Sequence, residues 1–195
     1  MKQIILTLGI LAYCSGVFGQ MIHGSTLITE RNHQNEPLQT GSRGFAELSP
    51  MYNFDDEAFM IEASGTYGFQ FNSWLYAGAG LGVIRWDDSY GLPLFANTRL
   101  YAGQRKIKPY FNLRAGYVIS ATSEYYNPGY TQRIKGFYFS PSVGLEIGRF
   151  NLSLGTTEFN EEQKYTNKVY GDTENYSIWS LFLGFGYNFN FSSRR

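Results

Sequence analysis

The stretch Trp179–Phe191, WSLFLGFGYNFNF, alternates between two kinds of side chain. Every odd position in it is Trp, Leu, Phe or Tyr, and the even positions other than Phe182 are Ser, Gly or Asn. A period of two is typical of a β-strand with one apolar and one polar face. The end of the chain therefore predicts a strand between two environments of opposite polarity.

The same alternation recurs upstream, so that eight strands are predicted in all. The seven further segments, the first of them less regular, are Arg43–Phe54, Ala58–Phe71, Leu75–Trp86, Leu92–Ala102, Tyr110–Ile119, Phe137–Ile147 and Phe150–Phe159. Pro141 lies inside one of these strands. Because proline has no amide hydrogen to donate, we expect a bulge there.

The polar faces of these strands hold mainly Gly, Ser and Asn, with single charges in mid-strand. A soluble barrel or sandwich would place its apolar rows inside and show many Lys, Glu and Thr outside. Small residues and isolated charges of both signs instead suit the interior of a narrow closed barrel whose apolar rows face lipid. The predicted fold is all-β, an eight-stranded antiparallel up-and-down transmembrane β-barrel.

The predicted interior contains five charged residues that we expect to form a lumen charge network. They are Glu47, Glu62, Arg99, Arg114 and Glu146. An unpaired buried ion costs several kcal/mol, so these groups should neutralise one another. Eight strands leave an interior just wide enough to be filled by side chains. A filled lumen is therefore favoured, with a narrow pore or a carrier of a small ligand as the alternative.

The links between strands alternate in length, as they do in membrane barrels. Links 72–73, 103–108 and 148–149 are short, whereas 120–135 and 160–175 reach about sixteen residues. An even strand number puts both termini on the side of the short turns, which is the periplasm for an outer-membrane protein. The two longest links supply candidate residues for binding an extracellular ligand or partner: Tyr125, Tyr126, Tyr130, Tyr165 and Tyr170.

Outside the barrel, residues 43–191, three further segments are predicted. Residues 1–19 form a signal peptide with a basic start, an apolar core of about ten residues and a cut before Gln20. Lipidation at Cys14 is the alternative for this segment. A polar N-terminal arm follows over 20–42, and a C-terminal tail covers 192–195.

Composition limits the classes of function. The chain has 195 residues with 16 Lys+Arg against 16 Asp+Glu, which argues against a nucleic-acid partner. Its two histidines, His23 and His33, both lie in the predicted arm, away from every strand. Because catalysis near neutral pH commonly needs a histidine base, the sequence predicts no enzyme. No metal site and no cofactor are expected.

Two stretches resemble a known family. The run 92–120, LPLFANTRLYAGQRKIKPYFNLRAGYVIS, is similar to small outer-membrane β-barrel proteins of the Bacteroidetes-type porin family, related in architecture to OmpA/OmpX barrels. The terminal SLFLGFGYNFNF resembles the C-terminal assembly signal of such proteins. The resemblance implies a bacterial outer-membrane location, outer-membrane lipid as surroundings, and recognition by the barrel-insertion machinery through the last strand.

Overall fold

The computed structural model describes residues 40–54, 57–86, 89–102, 106–121, 124–126, 130–165 and 173–190. The strands in these ranges are β1 (Gly41–Asn53), β2 (Ala58–Gln70), β3 (Leu75–Trp86), β4 (Ser89–Tyr101), β5 (Ile107–Ser120), β6 (Glu124–Tyr126), β7 (Tyr130–Ile147), β8 (Phe150–Tyr165) and β9 (Thr173–Asn190). Within the same ranges no helix is long and apolar enough to span a bilayer.

All strands except the three-residue β6 join into a closed barrel. Each pairs antiparallel with its neighbour in the chain, β5 pairs with β7, and β1 pairs with β9 to close the sheet. The predicted eight-stranded antiparallel up-and-down barrel is therefore confirmed. The links 71–74 and 148–149, residues 102 and 106, and the ends of the described chain at residues 40 and 190 lie at one end of the barrel, here named the turn end. The opposite end is named the loop end.

The orientation of the two faces is that of a membrane barrel. Leu183 and Phe185 are 42% and 51% exposed on the outer surface, whereas Arg99 and Arg114 are at most 1% exposed inside. Small polar residues such as Asn97, Ser140 and Ser180 fill the same interior rows as the charges. The apolar rows therefore face outward, as the alternation predicts.

Exposed aromatic side chains mark two levels on the outside. On β2, Phe59 and Phe69 are both exposed and lie ten positions apart. At about 3.3 Å per residue and a tilt near 40°, this separation corresponds to a band about 25 Å tall, the height of the apolar belt in membrane barrels. Such aromatic levels are typical of the two membrane interfaces.

Four aromatic residues close to strand ends lie inside the barrel and not at these outer levels. Tyr76, Tyr101, Tyr110 and Trp86 are all buried. Each lies an even number of positions from the interior residues of its own strand. Tyr101, for example, is two positions from Arg99 on β4. Position near a strand end therefore does not decide on which face an aromatic residue lies.

The two long links predicted from the sequence are mostly strand. β7 begins at Tyr130 and β8 runs to Tyr165, while β9 starts at Thr173. Past the rim, water lies on both faces of a strand, so alternation is not required and the sequence pattern disappears. The parts of β6–β9 beyond the last β1–β9 pair, Asn53 with Ser180, are here named the protruding sheet.

The bulge expected at Pro141 is absent, so that prediction is wrong. The register of β7 against β8 shifts between Ile134 and Tyr138, and stays constant from Tyr138 past Pro141 to Ile147. Gly136, with φ of +135°, lies within the shifted segment and adopts a conformation that other residues rarely tolerate. The irregularity therefore marks the point where β7 leaves the barrel for the protruding sheet.

Several predicted segments lie outside the described residues. They are the signal peptide, the arm up to residue 39 and the tail, together with Tyr170. The first strand begins at Gly41, so the last two residues of the predicted arm belong to β1.

Candidate functional site in the barrel interior

The interior contains three ion pairs stacked along the barrel axis, formed by arginine and glutamate side chains from opposite walls. The first, nearest the turn end, joins Arg43 to Glu146. Arg43 Nη2 donates to both carboxylate oxygens of Glu146 at 3.0 Å, and Nη1 donates to Gln70 Oε1 at 3.0 Å. The Tyr101 hydroxyl also donates to Glu146, at 3.0 Å. Every oxygen of this carboxylate therefore has a donor.

The second pair joins Arg99 and Glu47, whose side chains are 0% and 4% exposed. Arg99 Nη2 donates to Glu47 Oε1 at 2.6 Å. The guanidinium also lies over two rings, 3.7 Å from the centroid of Phe45 and 4.8 Å from that of Tyr110. Such cation–π contacts stabilise a desolvated cation by up to about 2 kcal/mol each.

The third pair joins Arg114 and Glu62. Arg114 Nη1 donates to Glu62 Oε1 at 2.8 Å and to Ser64 Oγ at 3.2 Å, while the Tyr138 hydroxyl donates to Glu62 Oε2 at 2.9 Å. This guanidinium lies about 5.5 Å from the ring of Phe95. Both side chains are at most 2% exposed. The pair therefore lies at the boundary between the charged interior and the apolar part beyond it.

An apolar cluster, here named the apolar cap, fills the interior toward the loop end. Its members are buried residues from the loop-side parts of seven of the eight barrel strands and from the middle of β4: Met51, Met60, Ile84, Trp86, Phe95, Val118, Ile134, Tyr138, Phe159, Ile178 and Phe182. Apolar side chains of this size leave little room for a hydrated ion. The cap therefore favours a filled interior over a continuous aqueous path.

Glycines allow the large interior side chains to fit. A Cβ atom built on Gly80 would lie 2.4 Å from the ring of Phe95, and one on Gly144 would lie 2.5 Å from the ring of Tyr110. Gly78, Gly80 and Gly82 lie inside strand β3. They therefore make space in the lumen and do not form a phosphate-binding loop, which would require a following helix.

The structure places all five predicted lumen charges in the interior. It joins Arg99 with Glu47 and Arg114 with Glu62, and it gives Glu146 a partner, Arg43, that the sequence analysis missed. The sequence contained a signal for this partner, because Arg43 lies four positions from Glu47 on β1 and so has its side chain on the same, interior face. Among the candidate surface residues, Tyr125, Tyr126, Tyr130 and Tyr165 belong to strands of the protruding sheet.

The described residues contain no group of three or more His, Cys, Asp or Glu that could hold a metal ion. The buried carboxylates each face an arginine, so their negative charge is already compensated by the protein. The chemistry that this interior supports directly is charge pairing and packing.

A closed eight-stranded antiparallel barrel with an apolar outside and a charge-paired inside defines the class of small transmembrane β-barrels. No family model and no curated protein matches the chain. Among solved structures it is similar to the outer membrane enzyme PagL, with 13% identity and a TM-score of 0.50 over 73% of this chain and 98% of that one.

Two further solved structures resemble it more loosely. The N-terminal β-barrel domain of Pseudomonas aeruginosa OprF has 15% identity and a TM-score of 0.47 over 77% of this chain and 100% of that one. Neisserial surface protein A has 13% identity and a TM-score of 0.44 over 76% of this chain and 96% of that one. At these identities the likeness to PagL concerns the fold alone.

The expectation that the chain is not an enzyme is corrected by this comparison. PagL is described as an outer membrane enzyme and has the same barrel fold. An eight-stranded barrel therefore does not exclude catalysis. His23 and His33, whose place in the predicted arm led to that expectation, both lie outside the described residues.

Proposed function

We propose that this chain is a bacterial outer-membrane protein with a filled, structural interior and a protruding sheet that meets partners outside the cell. The observation that carries the proposal is the interior stack of three Arg–Glu pairs below the apolar cap. A conducting pore needs hydrated volume along its axis, and here that axis is occupied by paired charges and apolar side chains. The barrel therefore acts as a membrane anchor.

The protruding sheet suits a binding role because it offers both backbone and aromatic groups. Residues 173–179 of β9 extend beyond the last β1–β9 pair and so form an edge of the sheet. In the backbone register, Tyr126 pairs with Tyr130, and Tyr130 pairs with Tyr165. Tyr176 is 46% exposed on β9. Edge strands and aromatic side chains are both common in protein recognition.

Three other partners belong to this proposal. Outer-membrane lipid would cover the exposed apolar rows, and the barrel-insertion machinery would recognise the aromatic C-terminal strand. An extracellular ligand, whose chemical class is open, would bind the protruding sheet. Membership of the Bacteroidetes-type porin family and the lack of a nucleic-acid partner stay predictions from the sequence.

A planar-bilayer recording tests the filled interior. We expect the refolded wild-type protein to insert without producing single-channel steps, because buried apolar side chains of the apolar cap occupy the interior toward the loop end. Insertion is checked on the same sample by the faster migration of the unboiled barrel in detergent gels. Reproducible steps whose conductance changes in Arg114→Ala would contradict the proposal and favour the narrow pore.

Cysteine labelling on intact cells tests the orientation, using a Cys14→Ser background. Ser177 is exposed in the protruding sheet, and Ser73 lies in a link at the turn end. A membrane-impermeant maleimide should label Ser177→Cys in intact cells and Ser73→Cys only after the outer membrane is permeabilised. The reverse pattern would place the protruding sheet in the periplasm and remove its proposed role.

A further inference from the structure

The two ends of the barrel differ in charge. By sequence, the links at the turn end, 71–74, 102–106 and 148–149, together contain three basic residues, Arg105, Lys106 and Arg149, and no Asp or Glu. The links and strand extensions at the loop end hold eleven acidic residues against five basic ones: Asp55, Asp56, Glu57, Asp87, Asp88, Glu124, Glu158, Glu161, Glu162, Asp172 and Glu174 against Arg85, Arg133, Lys135, Lys164 and Lys168. The two membrane surfaces therefore meet opposite charges.

Two cations of the turn end lie at neighbouring strand ends on the rim. The last backbone pair between β5 and β7 is Ile107 with Ile147, so Lys106 and Arg149 follow at neighbouring strand ends. Lys106 and Arg149 are both exposed and are here named the basic patch. Neither forms a salt bridge with a carboxylate in the described part of the chain. Their charge is therefore available to an outside anion.

The surface beside the basic patch is apolar and faces the bilayer. Ile107, Ile147 and Phe150 are 50%, 47% and 66% exposed on the outer face of the barrel. Arg149 Nη1 donates to the Tyr187 hydroxyl at 3.1 Å, and the Tyr187 ring lies 5.5 Å from that of Phe150, edge to face. The Arg149 guanidinium is therefore held at the edge of the apolar wall.

We propose that the basic patch binds the headgroup of an anionic phospholipid in the leaflet on the turn side, with the acyl chains lying on Ile107, Ile147 and Phe150. A free phosphate would use the two cations but not the apolar wall beside them, so the combination favours a lipid. Lysine and arginine near a membrane surface attract anionic lipid over distances within a Debye length. This inference requires that the barrel spans a membrane, as the proposed function does.

Brominated phospholipids test the inference, since bromine quenches only nearby tryptophan fluorescence. One variant carries Phe150→Trp as its single tryptophan, with Trp74, Trp86 and Trp179 replaced by Phe, and reports on the patch. A second retains Trp179 alone and reports on the loop end. Each is inserted into phosphatidylcholine vesicles containing brominated phosphatidylglycerol or brominated phosphatidylcholine.

At the patch reporter we expect brominated phosphatidylglycerol to associate about three to ten times more strongly than brominated phosphatidylcholine. A ratio of this size corresponds to about one favourable contact between a basic side chain and the anionic headgroup. The ratio should fall to about one in K106Q/R149Q and in high salt. The control R85Q/K135Q removes the same charge at the loop end and should keep the preference. At Trp179 the ratio should not exceed about one.

Two outcomes would overturn the inference, and a different one would overturn the membrane assignment. Equal quenching by both lipids at the patch reporter, or a preference that persists in K106Q/R149Q, contradicts the lipid site. Failure of the wild-type chain to insert, with no quenching by either brominated lipid, instead contradicts the membrane-spanning barrel. The unboiled gel migration of every variant shows which case applies.

Discussion

Replacing Arg99 by methionine is expected to lower the free energy of unfolding by about 3–5 kcal/mol, the usual cost of removing one partner from a buried ion pair. Methionine keeps much of the length of the side chain, so the loss is mainly electrostatic. Glu47 would lose its salt-bridge partner in a site where its side chain is 4% exposed. The contacts of the guanidinium with the rings of Phe45 and Tyr110 would be lost as well. Urea unfolding of the protein in lipid vesicles measures the change.

The double variant R99M/E47L should recover most of that loss, because no uncompensated charge then remains inside. Arg149→Met is the matched control, since this exposed arginine makes a single side-chain hydrogen bond within the described residues, to the Tyr187 hydroxyl, and its loss should leave stability close to wild type. If R99M and R99M/E47L were equally unstable, the packing of Arg99 and not its charge would dominate. If R99M were as stable as R149M, the interior pair would be unimportant for folding.

The sequence could predict which residues face the barrel interior, because the odd or even position of a residue along its strand decides the face on which its side chain lies. Most residues one or three positions from Arg99 and Arg114 along the strand are apolar and belong to the opposite face. Both arginines are buried inside, as expected. Which arginine meets which glutamate could not be predicted, because the pairs cross the barrel. In the backbone register, Glu47 pairs with Ser64 on β2. Arg99 pairs with Tyr76 on β3, and Tyr76 pairs with Gln70 on β2, six positions beyond Ser64.

The apolar cap escaped sequence analysis because it breaks the alternation. In Phe59-Met60-Ile61 and in Val83-Ile84 the outward and the inward positions are both apolar. The inward apolar residues therefore cannot be distinguished from the outward ones by alternation. Met60 and Ile84 are nevertheless buried in the cap while Phe59 and Val83 are exposed. An unbroken apolar run within an otherwise alternating strand is the signal for an apolar barrel interior at that level. The protruding sheet carried no such signal, since neither face there is required to be apolar.

Replacing Leu183 by arginine is expected to lower the free energy of unfolding by about 2–4 kcal/mol, the cost of a cation on the lipid face at the bilayer midplane. Leu183 is exposed on β9, opposite Leu154 on β8, and lies four positions from Trp179 and four from Tyr187. It is therefore close to the middle of the apolar band. Urea unfolding in vesicles, followed by tryptophan fluorescence and unboiled gel migration, gives the value.

Ile147→Arg is the control that makes this result specific to a membrane. Ile147 is a similarly exposed aliphatic residue, but it is the last residue of β7 and lies at the turn end. An arginine there can reach the headgroups, so its cost should be about 0–1 kcal/mol. In a barrel surrounded by water both positions would accept arginine equally well. A large cost at residue 183 with a small cost at 147 therefore requires a low-dielectric layer around the middle of the barrel, and equal costs at the two positions would contradict it.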